Sequence, residues 1–270
     1  MSPLWRDRHV AVLAPDRVAL VRRRRGWPGP FDLKLDAPWQ GEPSAAAEAL
    51  AGLLQQPEIG GGELRLLVSS HFVRYVLVPW RAEVGTPEEF AAYAGICCDQ
   101  TYGEDAGRRL RAAPEKAGSP RLAASLDGAL LGALTQVAAA SRLRLVSVQP
   151  YLAAAYNRLA GALPRDDFIF VLAEPSRYGL LAARQGRWCS VRAGTGEDQP
   201  HALAALIERE ARLLGLPDDG MLPVFVHAPR QARLQLPDCL GVTPQTLGLP
   251  IPAALAPVAD PLLTMAMTVA

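Results

Sequence analysis

One pattern recurs in this chain and restricts its fold more than any other feature. Three β-type runs, a helix and an apolar strand occur between residues 9 and 69, and the same order returns between residues 168 and 228. In the first copy "HVAVLA" (9–14) and "RVALVRRRR" (17–25) flank a Pro15-Asp16 turn, and "FDLKLD" (31–36) alternates with period two. Those runs predict an antiparallel meander. "SAAAEALAGLLQQ" (44–56) predicts a helix capped by Ser44. After Gly60-Gly61-Gly62, which reads as a linker, "LRLLVS" (64–69) has the unbroken apolar character of a strand covered on both faces. In the second copy "FIFVLAE" (168–174), "YGLLAARQG" (178–186) and "WCSVRAG" (188–194) precede the helix "PHALAALIEREARLLG" (200–215) and the strand "PVFVHA" (223–228). Residue identity between the copies is low, so it is the shared rhythm that predicts two like lobes.

Between the copies the pattern changes. "FVRYVLVPW" (72–80) predicts a strand that Pro79 ends, and Thr86, Pro87 and Glu89 form the start signal of a helix over 86–103. Short strands follow near "RRLRAA" (108–113) and "RLAASL" (121–126), which together predict a small inserted α/β subdomain. A helix over 128–141, the strand "LRLVSVQ" (143–149) and the helix "YLAAAYNRLAG" (151–161) complete the first half.

This order is how a ribonuclease H-like or actin-like lobe begins. With "SSHFVRYVLVPW" (69–80) before an acidic-started helix, and "LRLVSVQPYLAAAYNRL" (143–159), the chain resembles the PilM and GspL families, the actin-like cytoplasmic components of type IV pilus and type II secretion platforms. The resemblance implies an α/β, two-lobed actin-like (ribonuclease H-like) fold. Its first lobe would span 1–163, with the inserted subdomain at about 70–126, and its second, shortened lobe 164–270. It also implies a non-catalytic adaptor that binds the cytoplasmic tail of a membrane-anchored pilus or secretion partner. The alternatives of the same fold are an ATPase or sugar-kinase-like enzyme with a divergent nucleotide site, and a homo-oligomer of filament type.

The first turn of each lobe bears on that choice. Actin-like ATPases place glycine amides against phosphate there, with an Asp for Mg²⁺ and water. Here the turns are Leu13-Ala14-Pro15-Asp16-Arg17 and Ala173-Glu174-Pro175-Ser176-Arg177, without glycine and each with a proline that removes an amide donor. Asp16 and Glu174 read as carboxylates of solvated turns. For the later adenosine loop the nearest glycines are Gly215, Gly220 and Gly241, and none forms a Gly-Gly pair. The expectation is no cofactor, no metal and no catalysis.

Composition excludes other classes. Half of the 270 residues are hydrophobic, a fifth are charged and the formal net charge is +1, which indicates neither disorder nor general attraction to nucleic acid. No apolar run reaches the roughly 18 residues of a membrane span. Charges within Met1–His9 stand where a signal peptide needs an apolar core, so the expectation is a cytoplasmic chain, peripheral to the inner membrane through its partner. Cys97, Cys98, Cys189 and Cys239 form no Cys-x-x-Cys pair, and His9, His71, His201 and His227 are scattered, so neither a disulfide framework nor a metal set is expected.

For the partner, the expected surface lies between the first lobe and the inserted subdomain, where the strand 72–80 meets the helix that starts at Pro87. Arg74, Trp80, Arg81 and Tyr93 are the residues expected to bind it, because a tail needs apolar anchors and a few charges. Trp80, Tyr93 and Tyr102 serve either as such anchors or as subdomain core. Arg22–Arg25 either meet acidic lipid or protein or end a solvated strand, and alternation puts only two of them on one face. His71 with Ser69 and Ser70 reads as a polar strand end, since no Gly-x-Ser-x-Gly surrounds either serine. The Pro-rich residues 247–270 pack in the second lobe or dock on a partner.

Overall fold

The computed structural model describes residues 7–24, 31–216, 221–231, 234–249 and 260–269. In chain order its elements are β1 (Asp7–Leu13), β2 (Arg17–Arg23), β3 (Leu33–Pro38), α1 (Pro43–Leu54), β4 (Gly62–Val68), β5 (Val73–Val78), α2 (Pro87–Tyr102), β6 (Arg108–Ala112), β7 (Arg121–Asp127), α3 (Gly128–Ala140), β8 (Leu143–Pro150) and α4 (Tyr151–Leu159). After a 3-10 turn at Ala160–Ala162 come β9 (Phe168–Glu174), β10 (Arg177–Arg184), β11 (Arg187–Thr195), α5 (Pro200–Leu213), β12 (Val224–His227), β13 (Gln245–Thr246) and α6 (Pro261–Ala266). They gather into two compact units, Met1–Phe72 with Asp127–Arg158 and Leu249–Ala270, and Val73–Leu126 with Leu159–Gly248.

The first unit holds a sheet in the order β3-β2-β1-β4-β8. β1 pairs antiparallel with β2 and parallel with β4, as a meander followed by a helical crossover requires. Val10–Ala14 and Val18–Val21 are buried on both faces, which is why these strands read as continuous apolar runs. α1 begins two residues earlier than a Ser44 cap predicts. Pro43 occupies its first turn, where the fixed φ suits a helix and the missing N–H costs nothing, and Glu42 is the N-cap without a side-chain bond. Gly62 is not a linker residue but the first residue of β4, opposite Asp7.

The second unit repeats the order as β11-β10-β9-β12-β13, and adds a separate sheet, β5-β7-β6. All seven residues of β9 are buried. The β10–β11 hairpin closes on Gln185 and Gly186 at φ +51° and +69°, two consecutive left-handed residues whose twist matches that of the strands. The duplicated rhythm of the sequence is therefore a duplicated sheet topology.

Two boundaries differ from the sequence expectation. The inserted subdomain groups with the second unit, where β5 runs beside β11. The end of the chain packs in the first unit, not the second lobe: α6 lies against β1 and β2, Lys34 pairs with Asp260, and Arg65 donates to the Val269 carbonyl at 2.8 Å. The physical cause is an apolar helix with Leu262, Leu263, Met265 and Ala266 all buried, while the short β13 already occupies the outer position beside β12.

Candidate partner-binding site

The small sheet and α2 position the residues named for partner binding. Thr86 caps α2 by accepting from Glu89 N–H at 3.2 Å, and Glu89 Oε2 accepts from the Thr86 N–H at 3.0 Å and the Gly85 N–H at 2.9 Å. Those backbone donors hold the Glu89 carboxyl below its usual range. The cap fixes where α2 starts and so which face meets the sheet. Ala94 and Cys98, one turn apart, are buried against Val76, Val78 and Ala123, with Phe90, Tyr93, Tyr102 and Leu110 around them.

Three of the four predicted residues come together there. Trp80, Arg81 and Tyr93 line one cleft with Pro79, Phe90 and Arg121. Arg81 Nε donates to the Tyr93 hydroxyl at 3.4 Å, and Trp80 keeps 45% of its surface exposed. The cleft itself holds only about 30 Å³, room for one water. Arg74 stands elsewhere. It precedes Trp80 by six residues, at most about 20 Å of extended chain, and its guanidinium lies 5.4 Å from the Tyr102 ring centroid. Tyr102 donates to the Tyr75 carbonyl at 2.8 Å, and Tyr93 and Tyr102 both flank the subdomain core, so core and site share these aromatics.

Larger open volume lies next to that cleft, at a position the sequence reading did not name. A groove of about 470 Å³ runs between Val84–Pro87, Phe90 and Ala91 on one side and Leu110–Pro114 on the other, with Arg121 at its wall. Arg121 stacks over the Phe90 ring at 4.5 Å. The signal for it was present only as the short run "RRLRAA", too brief to show which strand forms the edge of the sheet.

The two hairpin turns differ from each other. At the first, the Ala14 N–H donates to the Arg17 carbonyl at 3.0 Å, while Trp39 donates from its indole to the Ala14 carbonyl and from its backbone to the Asp16 carbonyl, both at 3.0 Å. Trp39 in turn tilts against Phe72 at 5.9 Å between centroids. Asp16 is exposed, as expected of a solvated turn. Glu174 is not: at 2% exposure it is buried and carries a polar contact, because β9 is covered throughout. Ser176 beside it takes φ +57°, a left-handed position without glycine.

The remaining named groups fall apart from this sheet. Ser69 Oγ lies 2.9 Å from His71 Nδ1, and Ser69 and Ser70 are fully buried. Arg22 is buried against Asp32 at 2.7 Å and donates to the Glu58 carbonyl, and Arg24 reaches the same carboxylate at 3.0 Å, so these arginines are ion-paired at a strand end. Arg25 lies outside the described residues, as do residues 1–6, 250–259 and 270. Among the described residues, no group of three His, Cys, Asp or Glu converges as metal ligands, and no helix is long and apolar enough to cross a membrane.

Two β-meander sheets of matching strand order, with a small sheet inserted after the first, are the actin-like ATPase fold. No protein-family model matches the sequence, and no curated protein matches it. Solved structures do. The chain is similar to the PilM-PilN type IV pilus biogenesis complex, with a TM-score of 0.61, 14% identity and 96% of each chain covered. It is similar to the cytoplasmic domain of EpsL, an inner-membrane component of the type II secretion system of Vibrio cholerae, with a TM-score of 0.59, 11% identity, and 98% of this chain and 95% of that one covered. A Bacteroides thetaiotaomicron protein with an actin-like ATPase fold gives a TM-score of 0.55 at 8% identity over 83% of this chain and 81% of that one.

Proposed function

We propose that this chain is a non-catalytic scaffold of a type IV pilus or type II secretion-like assembly platform, cytoplasmic and held at the inner membrane by the cytoplasmic tail of an anchored partner. The observation that carries the reading is the near end-to-end likeness to a type IV pilus biogenesis complex and to the cytoplasmic domain of an inner-membrane component of a type II secretion system. The turn chemistry supports it. Pro15 and Pro175 each remove an amide donor, and Trp39 occupies the carbonyls of the first turn.

The tail docks in this reading on the subdomain surface around Trp80, Arg81 and Tyr93. An exposed Trp beside an Arg is the chemistry of an interface anchor, whose loss commonly costs about 2 kcal/mol or roughly thirtyfold in affinity. The test is a pulldown and titration with the cytoplasmic-tail peptide of each single-span membrane protein encoded near this chain, comparing wild type with Trp80→Ala and Tyr93→Ala after circular dichroism confirms their folding. Loss of binding in both supports the site; unchanged binding in both places the tail elsewhere.

One observation favours the rival ATPase reading. Glu174 is a buried carboxylate at the turn where this fold handles nucleotide. Calorimetric titration with ATP and Mg²⁺ separates the two, since tight binding or turnover that Glu174→Gln abolishes would replace the scaffold reading with an enzymatic one.

A further inference from the structure

The small sheet ends on β6, and no strand lies beyond it among the described residues. The backbone shows which of its groups are open. The Ala113 N–H donates to the Leu122 carbonyl at 2.8 Å, so Ala113 and, by antiparallel alternation, Arg111 and Arg109 turn their backbone groups toward β7. Leu110 and Ala112 turn theirs outward, along the wall of the 470 Å³ groove that these residues share with the start of α2. The Arg108 N–H is engaged by the Asp105 carbonyl at 3.2 Å, so an extended chain laid in that groove meets the outward backbone groups of Leu110 and Ala112, at strand spacing.

The side chains state what that chain carries. Leu110 and Ala112 pack toward α2, so Arg109 and Arg111 stand on the opposite face, two residues and about 7 Å apart. Both are exposed and neither forms an ion pair among the described residues. Asp99 and Asp105, the acids ion-paired in this subdomain, are engaged by Arg108 at 3.3 and 3.5 Å and not by Arg109 or Arg111. Arg121 adds a third cation at the groove wall.

We infer that β6 is a docking edge for an extended acidic segment of a partner protein, which adds as a fourth strand and sets carboxylates at alternate positions against Arg109 and Arg111, with small apolar residues between them in the groove. The inference deepens the scaffold reading by naming the chemistry of the partner, and it rests on that reading for the subdomain's role in docking.

The probe is a fluorescein-labelled, end-blocked octapeptide of alternating Glu and Val, with a Lys-Val octapeptide as its control, followed by fluorescence anisotropy at low salt. Wild type is expected to bind the Glu peptide saturably and the Lys peptide at least tenfold more weakly. Arg109→Glu/Arg111→Glu is expected to weaken the Glu peptide at least tenfold. Ala112→Pro removes an outward N–H while sparing the bonds to β7, and is expected to weaken it to a similar degree with an unchanged melting temperature. No binding to wild type, equal binding of the Lys peptide, or full binding by either variant overturns the inference. So does concentration-dependent dimerisation that Ala112→Pro abolishes, which would make a second copy the occupant. The native partner tail is titrated in parallel: Glu-peptide binding without tail binding leaves the inference standing and removes the scaffold reading, and tail binding unaffected by Ala112→Pro does the reverse.

Discussion

At the scale of single residues, the sharpest constraint is Gly62. A Cβ built there would stand 2.3 Å from the Asp7 carbonyl oxygen and 3.1 Å from its carbon, and both are backbone atoms of the neighbouring strand. Gly62→Ala is therefore expected to force β1 and β4 apart at their first pair, costing about 2 kcal/mol and lowering the melting temperature by several degrees in calorimetry. His9 makes a second case. It is fully buried in β1, and neither ring nitrogen has a hydrogen-bond partner of good geometry among the described residues. Burial pushes its pKa below 6.5, while the Glu63 backbone and then Asp7 and Asp32 oppose the shift and Arg22 adds to it. Burial does the same to His227, against the Leu247 carbonyl that its Nδ1 meets at 2.8 Å. Each is neutral when folded and takes up a proton first when unfolded, so stability is complete above pH 6.5 and falls as pH drops through 6.5 toward the depressed folded values. His9→Leu is expected to keep or raise stability at pH 7.5 and to shallow that acid limb, with His227 supplying what remains. A limb of unchanged slope in urea melts between pH 7.5 and 5 would show that His9 does not titrate on unfolding. Neither residue's role was legible beforehand, because a glycine in a run of three and a lone histidine acquire meaning only from the strand placed opposite them.

Elements were more legible where local chemistry alone decides them. The Thr86–Glu89 cap and Pro87 fix the start of α2 from four consecutive residues, and the structure has both reciprocal bonds. Thr86→Ala is expected to cost about 1 kcal/mol and to raise amide exchange in the first turn of α2, with a smaller loss in its last turn. If the first turn stays protected, the cap is redundant with the packing of Phe90. The apolar runs of β1, β4 and β9 were equally readable, since burial on both faces removes the need for alternation. Two kinds of element were not. β13 has only two residues and is a strand solely because Phe225 and Val226 of β12 stand beside it. α6 follows a Pro-rich stretch and gains its buried side from the first unit's strands, at a sequence distance no local pattern reports. The site divides in the same way. Trp80, Arg81 and Tyr93, grouped in the sequence, do stand side by side, because Pro79 and the cap bring a strand end and a helix start together. Arg74 stands apart from them, by Tyr102, because alternation states its face and not its distance along the strand.

At the scale of the whole molecule, the first unit is assembled from segments of chain that are far apart, and its last segment closes it. Residues 260–269 bury Leu262, Leu263, Met265, Ala266 and Val269, pair Asp260 with Lys34 and take the Arg65 guanidinium on the Val269 carbonyl. Four large apolar side chains withdrawn from water at about 1.5–3 kcal/mol each is comparable to the whole stability of an ordinary domain. Removing residues 260–270 is therefore expected to unfold or severely loosen the first unit. The second unit has its own core around Ile169, Val171, Leu180, Leu203, Ile207 and Val226, and none of that cluster comes from the end of the chain. Hydrogen exchange read by mass spectrometry on the truncated chain should then show β1, β2 and β4 losing protection while β9, β10 and β12 keep theirs. The point variant Leu263→Ala, at 1% exposure and an expected cost of about 2–5 kcal/mol, should give the same asymmetry in milder form. Equal loss of protection in both units would mean that they unfold as one cooperative body, and the division of the chain into two units would then hold for its contacts but not for its stability.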